Sequence, residues 1–177
     1  LPSQASHLYG ELISSGATDL RPGVEDLMTA AKRDGVRLAI ATTTSRPNVD
    51  KLLRTTLGAH WTDIIELVAA ADSADVKKPA HDVYLRTLRG LDLPASACVA
   101  IEDTNNDLRA ARGAGISTVV TPSIYSADED FEGACAVAAS LCELAPRKSG
   151  SMARGPAILA AIQELHRGPP VDSAWSN

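Results

Sequence analysis

Residues 98–116, CVAIEDTNNDLRAARGAGI, join an apolar run to a helical pattern through two adjacent carboxylates, Glu102 and Asp103. The run CVAI carries no charge and stops at the acidic pair, as a strand buried on both faces does. NNDLRAARGAG then has the small apolar residues and the glycine exit of a helix. The carboxylates therefore lie at a strand's carboxyl end, against a helix N-terminus. A third acid, Asp107, follows within the first turn; it reads as a surface helix acid or as a further partner of the pair.

The same alternation extends in both directions. Upstream, LRPGVEDLMTAAKRDG predicts a helix with Pro22 in its first turn and Gly35 at its exit, followed by a strand over residues 36–42. SRPNVDKLLRTTLG carries a helical stripe of Val49, Leu52, Leu53 and Leu57, closed by Gly58. DIIELVAA predicts the second strand, and HDVYLRTLRGL a helix offering Val83, Leu85 and Leu88 for packing. Downstream, STVVTP and ACAVAA predict two further strands. Apolar strands alternating with helices predict an α/β fold, with a Rossmann-like parallel sheet covered by helices on both faces.

Composition narrows the function. With 177 residues and 45% hydrophobic content, the chain suits one domain with a real core. Aromatic residues make up only 3%, so that core must be built from Ala, Leu, Val and Ile. A net charge of −5 argues against nucleic acid and against an anionic membrane surface as partners. No apolar run is long enough to span a bilayer. Cys98, Cys135 and Cys142 form no CxxC pair; they read as free thiols in a reducing compartment rather than as a zinc site.

The chain opens LPSQASHLYGELI, without an initiator methionine, as if partway through a helix over residues 4–15. A partial chain or a processed form is the expectation. After residue 146 the composition shifts to Gly, Pro, Ser and Arg around one helical stretch, AILAAIQEL. Residues 146–177 read as a partly disordered appendage.

Three polar clusters fall at three predicted strand ends, where ligands of open parallel sheets bind. Thr42, Thr43, Thr44 and Ser45 follow LAIA; Lys77-Lys78-Pro79 closes the loop after IIELVAA; Glu102-Asp103 follows CVAI. Hydroxyls and amides at a helix start suit phosphate oxygens, and a lysine adds charge for the same anion. Paired carboxylates suit Mg²⁺. Each also has a plain structural reading: a helix cap for the threonines, a solvated loop for the lysines, a complement to the helix dipole for the acids. Together, in this order, they point to metal-assisted phosphoryl transfer.

LAIATTTS, KKPAHDVY and CVAIEDTNNDLRAARGAGI resemble the second, third and fourth motifs of the haloacid dehalogenase-like hydrolase superfamily. The likeness covers roughly residues 20–141. LRPGV, IATTTS, KKP, VAIEDT and TVVTPSIYSADEDFEGA are similar to its CbbY-like sugar-phosphate phosphatases. The resemblance implies a Mg²⁺-dependent phosphatase acting through a phosphoaspartate on a phosphorylated sugar, with xylulose 1,5-bisphosphate the characteristic candidate. Thr42 and Lys78 would take catalytic roles, Thr42, Thr43, Thr44 and Lys78 would bind substrate, Glu102 and Asp103 would hold the metal, and Asp107 would support them. Residues 1–19 would be the last helix of a cap domain and 20–145 the core.

Two departures matter. His81 stands where the family's K-P-x-P-D-x-Y/F has its second proline, which predicts a less constrained turn beside Lys78. The family's first motif, D-x-D-G-T, whose aspartates are nucleophile and acid/base, occurs nowhere in the 177 residues. The strand that carries it is central in the family's sheet, between the strands ending at Thr42 and Asp103. The resemblance thus implies a partial chain of low stability, and a non-catalytic phosphate-binding or interaction protein stands as the alternative. A phosphorylation receiver would place its acids before its lysine, the reverse of the order here; a phosphomutase or dehalogenase remains open within the family. The thiols suit cytoplasm or plastid stroma.

Overall fold

The computed structural model describes residues 19–70, 78–145 and 154–168. The helix expected over residues 4–15, Lys77 and the remainder of the C-terminal segment lie outside the described residues. Helix α1 spans Val24–Arg33, with Glu25 and Asp26 in its first turn and Lys32 and Arg33 in its last, complementing the dipole. Pro22 lies outside it, contrary to the sequence reading. The cap is Gly23, at φ 89°, a left-handed conformation that glycine takes without strain. A Cβ there would lie 2.9 Å from that of Leu141.

Strand β1, Ala39–Ala41, pairs in parallel with β2, Leu67–Ala69. Helix α2, Arg46–Leu57, crosses over between them, starting after Ser45 and ending at Gly58. Its buried Val49 and Leu53 pack with Trp61, Ile65, Val68 and Ala70. Helix α3, Asp82–Leu91, leads to β3, Val99–Glu102. Helix α4, Asn105–Gly113, crosses to β4, Ser117–Val120, and β5 is the short Ala136–Val137. Strands β3, β4 and β5 pair in parallel in that order. The parallel α/β architecture expected from the alternation is present. The inward face of α3 differs from the expectation, because Tyr84 and Thr87 are buried with Val83, Leu88 and Leu91 while Leu85 faces outward.

Strand β3 is packed on both faces, since successive side chains point to opposite sides. Ala100 joins Ala69, Val83, Tyr84, Leu88, Ala110, Ala111 and Ile116 beneath α3 and α4. Val99 packs on the opposite face against Leu27, Ala30, Leu141, Ile158, Leu159 and Ile162. Those residues come from α1, from α5 (Leu141–Leu144) and from α6 (Arg154–Arg167). Helix α6 is the helical stretch expected inside the C-terminal segment, and it contributes fully buried Ile158 to the core. Alanine, leucine, valine and isoleucine build nearly all of the buried core, with Trp61 and Tyr84 its only aromatic members among the described residues.

The two sheets are separate among the described residues. Strand β1 pairs only with β2, and β3 only with β4, so each keeps one edge without a strand neighbour. Every residue of β1 is only half-buried, and Ile101 of β3 is 38% exposed. Ala69 and Ala41 reach the cluster around Ala100, so side-chain packing links the halves where no ladder does.

Two outcomes are expected. The purified chain should melt over a broad range, because two sheets share one core without a common ladder; a sharp, reversible two-state transition of the monomer would contradict this. Gly155→Ala should open the seam between α1 and α6, since its Cβ would collide with the Asp26 carbonyl oxygen. Overpacking of this kind costs about 1–3 kcal/mol, and hydrogen exchange should show lost protection in both helices while α3 is unaffected.

Candidate phosphate and metal site

The acidic pair stands at the carboxyl end of β3, with Glu102 its last residue. Thr104 then caps α4: its Oγ1 accepts the Asp107 N–H at 3.2 Å, and its hydroxyl donates to Asp107 Oδ2 at 2.6 Å. The exchange is a variant of the capping box, and it sets the Asp107 carboxylate beside the pair. Asp107 is therefore no surface acid. Carboxylate oxygens of Glu102, Asp103 and Asp107 lie within 4.8 Å of one another.

Lys78 enters from the loop after β2. Its Nζ lies 2.9 Å from Asp107 Oδ1 and 3.4 Å from Glu102 Oε1, and its side chain is only 9% exposed. The same ammonium lies 4.8 Å from the centre of the Tyr84 ring, whose hydroxyl donates to Glu102 Oε1. His81 begins α3, its carbonyl accepting the Tyr84 and Leu85 N–H groups. Gly113 leaves room for the His81 ring, since a Cβ there would lie 3.0 Å from its Nδ1. Beside the His81 turn, two carboxylates and an aromatic face hold the Lys78 ammonium.

Charge in this cluster is under-compensated, with three carboxylates against one ammonium. Burial pushes the Glu102 carboxyl up to about 7, although Lys78 and the Tyr84 hydroxyl pull it down. Burial raises Asp103 also, with Asp107 adding to it and Arg21 opposing. Burial raises the Tyr84 hydroxyl, reinforced by Glu102. Converging oxygen ligands with surplus negative charge form a donor set that would suit a hard divalent cation such as Mg²⁺.

Thr42, Thr43 and Thr44 stand at the carboxyl end of β1, in the other sheet. The Thr42 N–H extends the ladder to Ala69 O at 2.9 Å, and its Oγ1 accepts the Thr44 N–H at 3.1 Å. Ser45, not a threonine, occupies the cap position of α2, and its side chain makes no capping bond. The cap reading thus does not account for these hydroxyls. No hydrogen bond joins them to the acidic cluster among the described residues.

Several supporting residues were not singled out from the sequence. Buried Ser126 donates to the Asp103 carbonyl oxygen at 2.5 Å, pinning the acidic turn from the segment after β4. The Arg21 guanidinium donates to the carbonyl oxygens of Thr121, Pro122 and Ala139 at 2.5, 2.8 and 3.0 Å. Tyr84 had a signal, since it ends the quoted KKPAHDVY. Ser126 and Arg21 lie inside the stretches TVVTPSIYSADEDFEGA and LRPGV, but their partners are far away in the chain, so neither stood out singly.

The haloacid dehalogenase-like hydrolase family model matches residues 3–115. The CbbY protein of Cupriavidus necator is 44% identical over 168 residues, covering 93% of this chain and 66% of the relative. That of Rhodobacter capsulatus is 52% identical over 126 residues, covering 71% of this chain and 56% of the relative. The chain therefore spans about three-fifths of the length of these relatives. Among solved structures, an Asp-to-Asn variant of CbbY from Rhodobacter sphaeroides, in complex with xylulose 1,5-bisphosphate, superposes with a TM-score of 0.75 at 43% identity. That match covers 84% of this chain and 64% of the other. β-Phosphoglucomutase from Clostridium difficile shares the fold, with a TM-score of 0.69 at 21% identity over 90% of this chain and 62% of that one.

Glu102 also makes stability depend on pH. Its folded-state pKa, about 7, lies above the ordinary 4.5, so its favourable contribution is complete below pH 4.5 and is lost as pH rises through 7. The loss amounts to about 3 kcal/mol. Glu102→Gln should therefore be relatively more stable than the unsubstituted chain at pH 8 and lose that advantage near pH 4. A ¹³C titration of the Glu102 carboxyl should find its midpoint near 7, and a midpoint near 4 would refute this account.

Proposed function

The chain belongs to the haloacid dehalogenase-like hydrolase family, in its CbbY-like subgroup, and on that footing we propose that its acidic cluster is one wall of a Mg²⁺-dependent sugar-phosphate phosphatase site. The observation that carries the reading is the buried Lys78 ammonium between Glu102 and Asp107 at the carboxyl end of β3. A lysine held there is a fixed positive charge for a phosphate oxygen, with no side-chain entropy left to lose on binding. Glu102 and Asp103 hold the metal, while Asp107 positions Lys78. Thr42 and Thr43 take the phosphate from the end of β1 through hydroxyl and backbone N–H, and Thr44 lines the same rim. Mg²⁺, when bound, supplies charge that offsets the phosphate oxygens.

The family's covalent step forms an O–P bond from an aspartate carboxylate and breaks the ester O–P bond, and a second aspartate protonates the departing alcohol. These two aspartates belong to D-x-D-G-T, which the 177 residues do not contain. Turnover through a phosphoaspartate needs both aspartates, and the cluster around Lys78 is no substitute for them. That same observation supports the second reading, in which this chain binds phosphate without turning it over. The substrate reading rests on the relative whose structure holds xylulose 1,5-bisphosphate. Among the described residues no helix is long and apolar enough to cross a membrane, and the free thiols suit cytoplasm or plastid stroma.

Calorimetric titration with inorganic phosphate separates these readings from a site that does neither. Binding should require Mg²⁺, and Lys78→Met should weaken it about 10- to 100-fold through loss of a charge-assisted bond. Release of phosphate from xylulose 1,5-bisphosphate by this chain would exclude the non-catalytic reading. Phosphate binding unaffected by both Mg²⁺ and Lys78→Met would refute the site itself.

A further inference from the structure

The segment after β4 combines tight anchoring with an exposed apolar tip. Ser126 Oγ reaches the Asp103 carbonyl oxygen at 2.5 Å, accepts the Ser123 N–H at 2.9 Å and lies 3.0 Å from Ser123 Oγ. Arg21 holds the segment's start through Thr121 and Pro122. Asn105 holds its far side, its N–H donating to Glu129 Oε2 at 2.5 Å and its side-chain amide to the Asp130 carbonyl. Arg112 donates to the Glu132 carbonyl at 3.0 Å. Between these anchors Ile124 is 86% and Tyr125 91% exposed, far more than any other large apolar side chain among the described residues.

An exposed tip of this kind costs solubility, and a segment free to move could fold it away. Here the anchors fix it beside the acidic site. Tyr125 precedes Ser126, so its Cα lies within about 9 Å of the Asp103 carbonyl oxygen by chain geometry. A phosphate held by Lys78 and the acidic cluster leaves the rest of its ester at that rim. The carbon skeleton of a sugar offers C–H groups to an aromatic face, which packs broadly at small entropic cost.

We propose that Tyr125, with Ile124 beside it, is a specificity-determining contact for the carbon skeleton of the phosphate ester. The inference rests on the phosphate-site reading above and assigns that site's organic half. It is tested on the full chain at saturating Mg²⁺, by titration with xylulose 1,5-bisphosphate and, separately, inorganic phosphate. Tyr125→Ala should weaken the sugar bisphosphate about tenfold and leave inorganic phosphate unchanged. Tyr125→Phe should behave as wild type, because the ring makes the contact. Equal weakening of both ligands would mean that the residue only shapes the segment, and would overturn the proposal. Unchanged affinity for both would overturn it also, and would point to a protein partner at the tip. Failure of the unsubstituted chain to bind inorganic phosphate would bring down the site reading and this inference with it.

Discussion

The ammonium of Lys78 is the point on which the two halves of the molecule converge. It arrives on the loop that follows the β1–β2 sheet and ends between two carboxylates belonging to β3 and α4. No backbone ladder joins the sheets among the described residues, so side chains alone must set their relation. The alanine-rich cluster beneath α3 and α4 supplies non-directional attraction. Lys78 supplies direction. A buried ion pair of this kind is weak evidence for net stability, because desolvation consumes much of its Coulombic gain. Its value lies in position: removing Lys78 leaves buried carboxylates uncompensated, whereas removing Glu102 leaves Lys78 its contact with Asp107.

The neighbours of that pair show how one helix start can serve two ends. Thr104 and Asp107 satisfy each other at the N-terminus of α4, an economical way to begin a helix. The geometry that satisfies the cap also turns the second Asp107 oxygen toward Lys78. Tyr84 contributes both its ring to the lysine and its hydroxyl to Glu102. The surplus of negative charge left over is expressed in Glu102, whose carboxyl burial pushes up to about 7 even though Lys78 and the Tyr84 hydroxyl partner it.

Much of this was legible in the sequence because it is local. The strand CVAI, the acidic pair and the helix after it are contiguous, and the order of polar clusters along the chain matched their placement at strand ends. Asp107 stayed ambiguous because one helical turn offers both an outward and an inward acid, and only Lys78, arriving from elsewhere, decides between them. Residues 36–42 read as a seven-residue strand, yet only Ala39–Ala41 form it. Apolar character measures burial, whereas strand length is set by the partner, and β1 has one partner. The C-terminal segment read as an appendage because Gly, Pro and Ser dominate its flanks; the buried Ile158 and Leu159 of α6 are too few to outweigh them in composition. Arg21, whose acceptors lie a hundred residues or more away, is marked only by its place in LRPGV, which names none of those acceptors.

Among the described residues one edge of β1 and one edge of β3 have no strand neighbour, which makes the fate of this fold a question of concentration. Each edge is a row of backbone donors and acceptors with a vacant side, and such rows pair with whatever extended chain reaches them first. A strand tethered to the same chain competes at an effective concentration set by its linker, independent of how much protein is present. A second copy of the chain competes at the bulk concentration, so self-association gains with every rise in expression. The balance between folding partner and aggregate is therefore kinetic and dose-dependent, decided by abundance as much as by sequence.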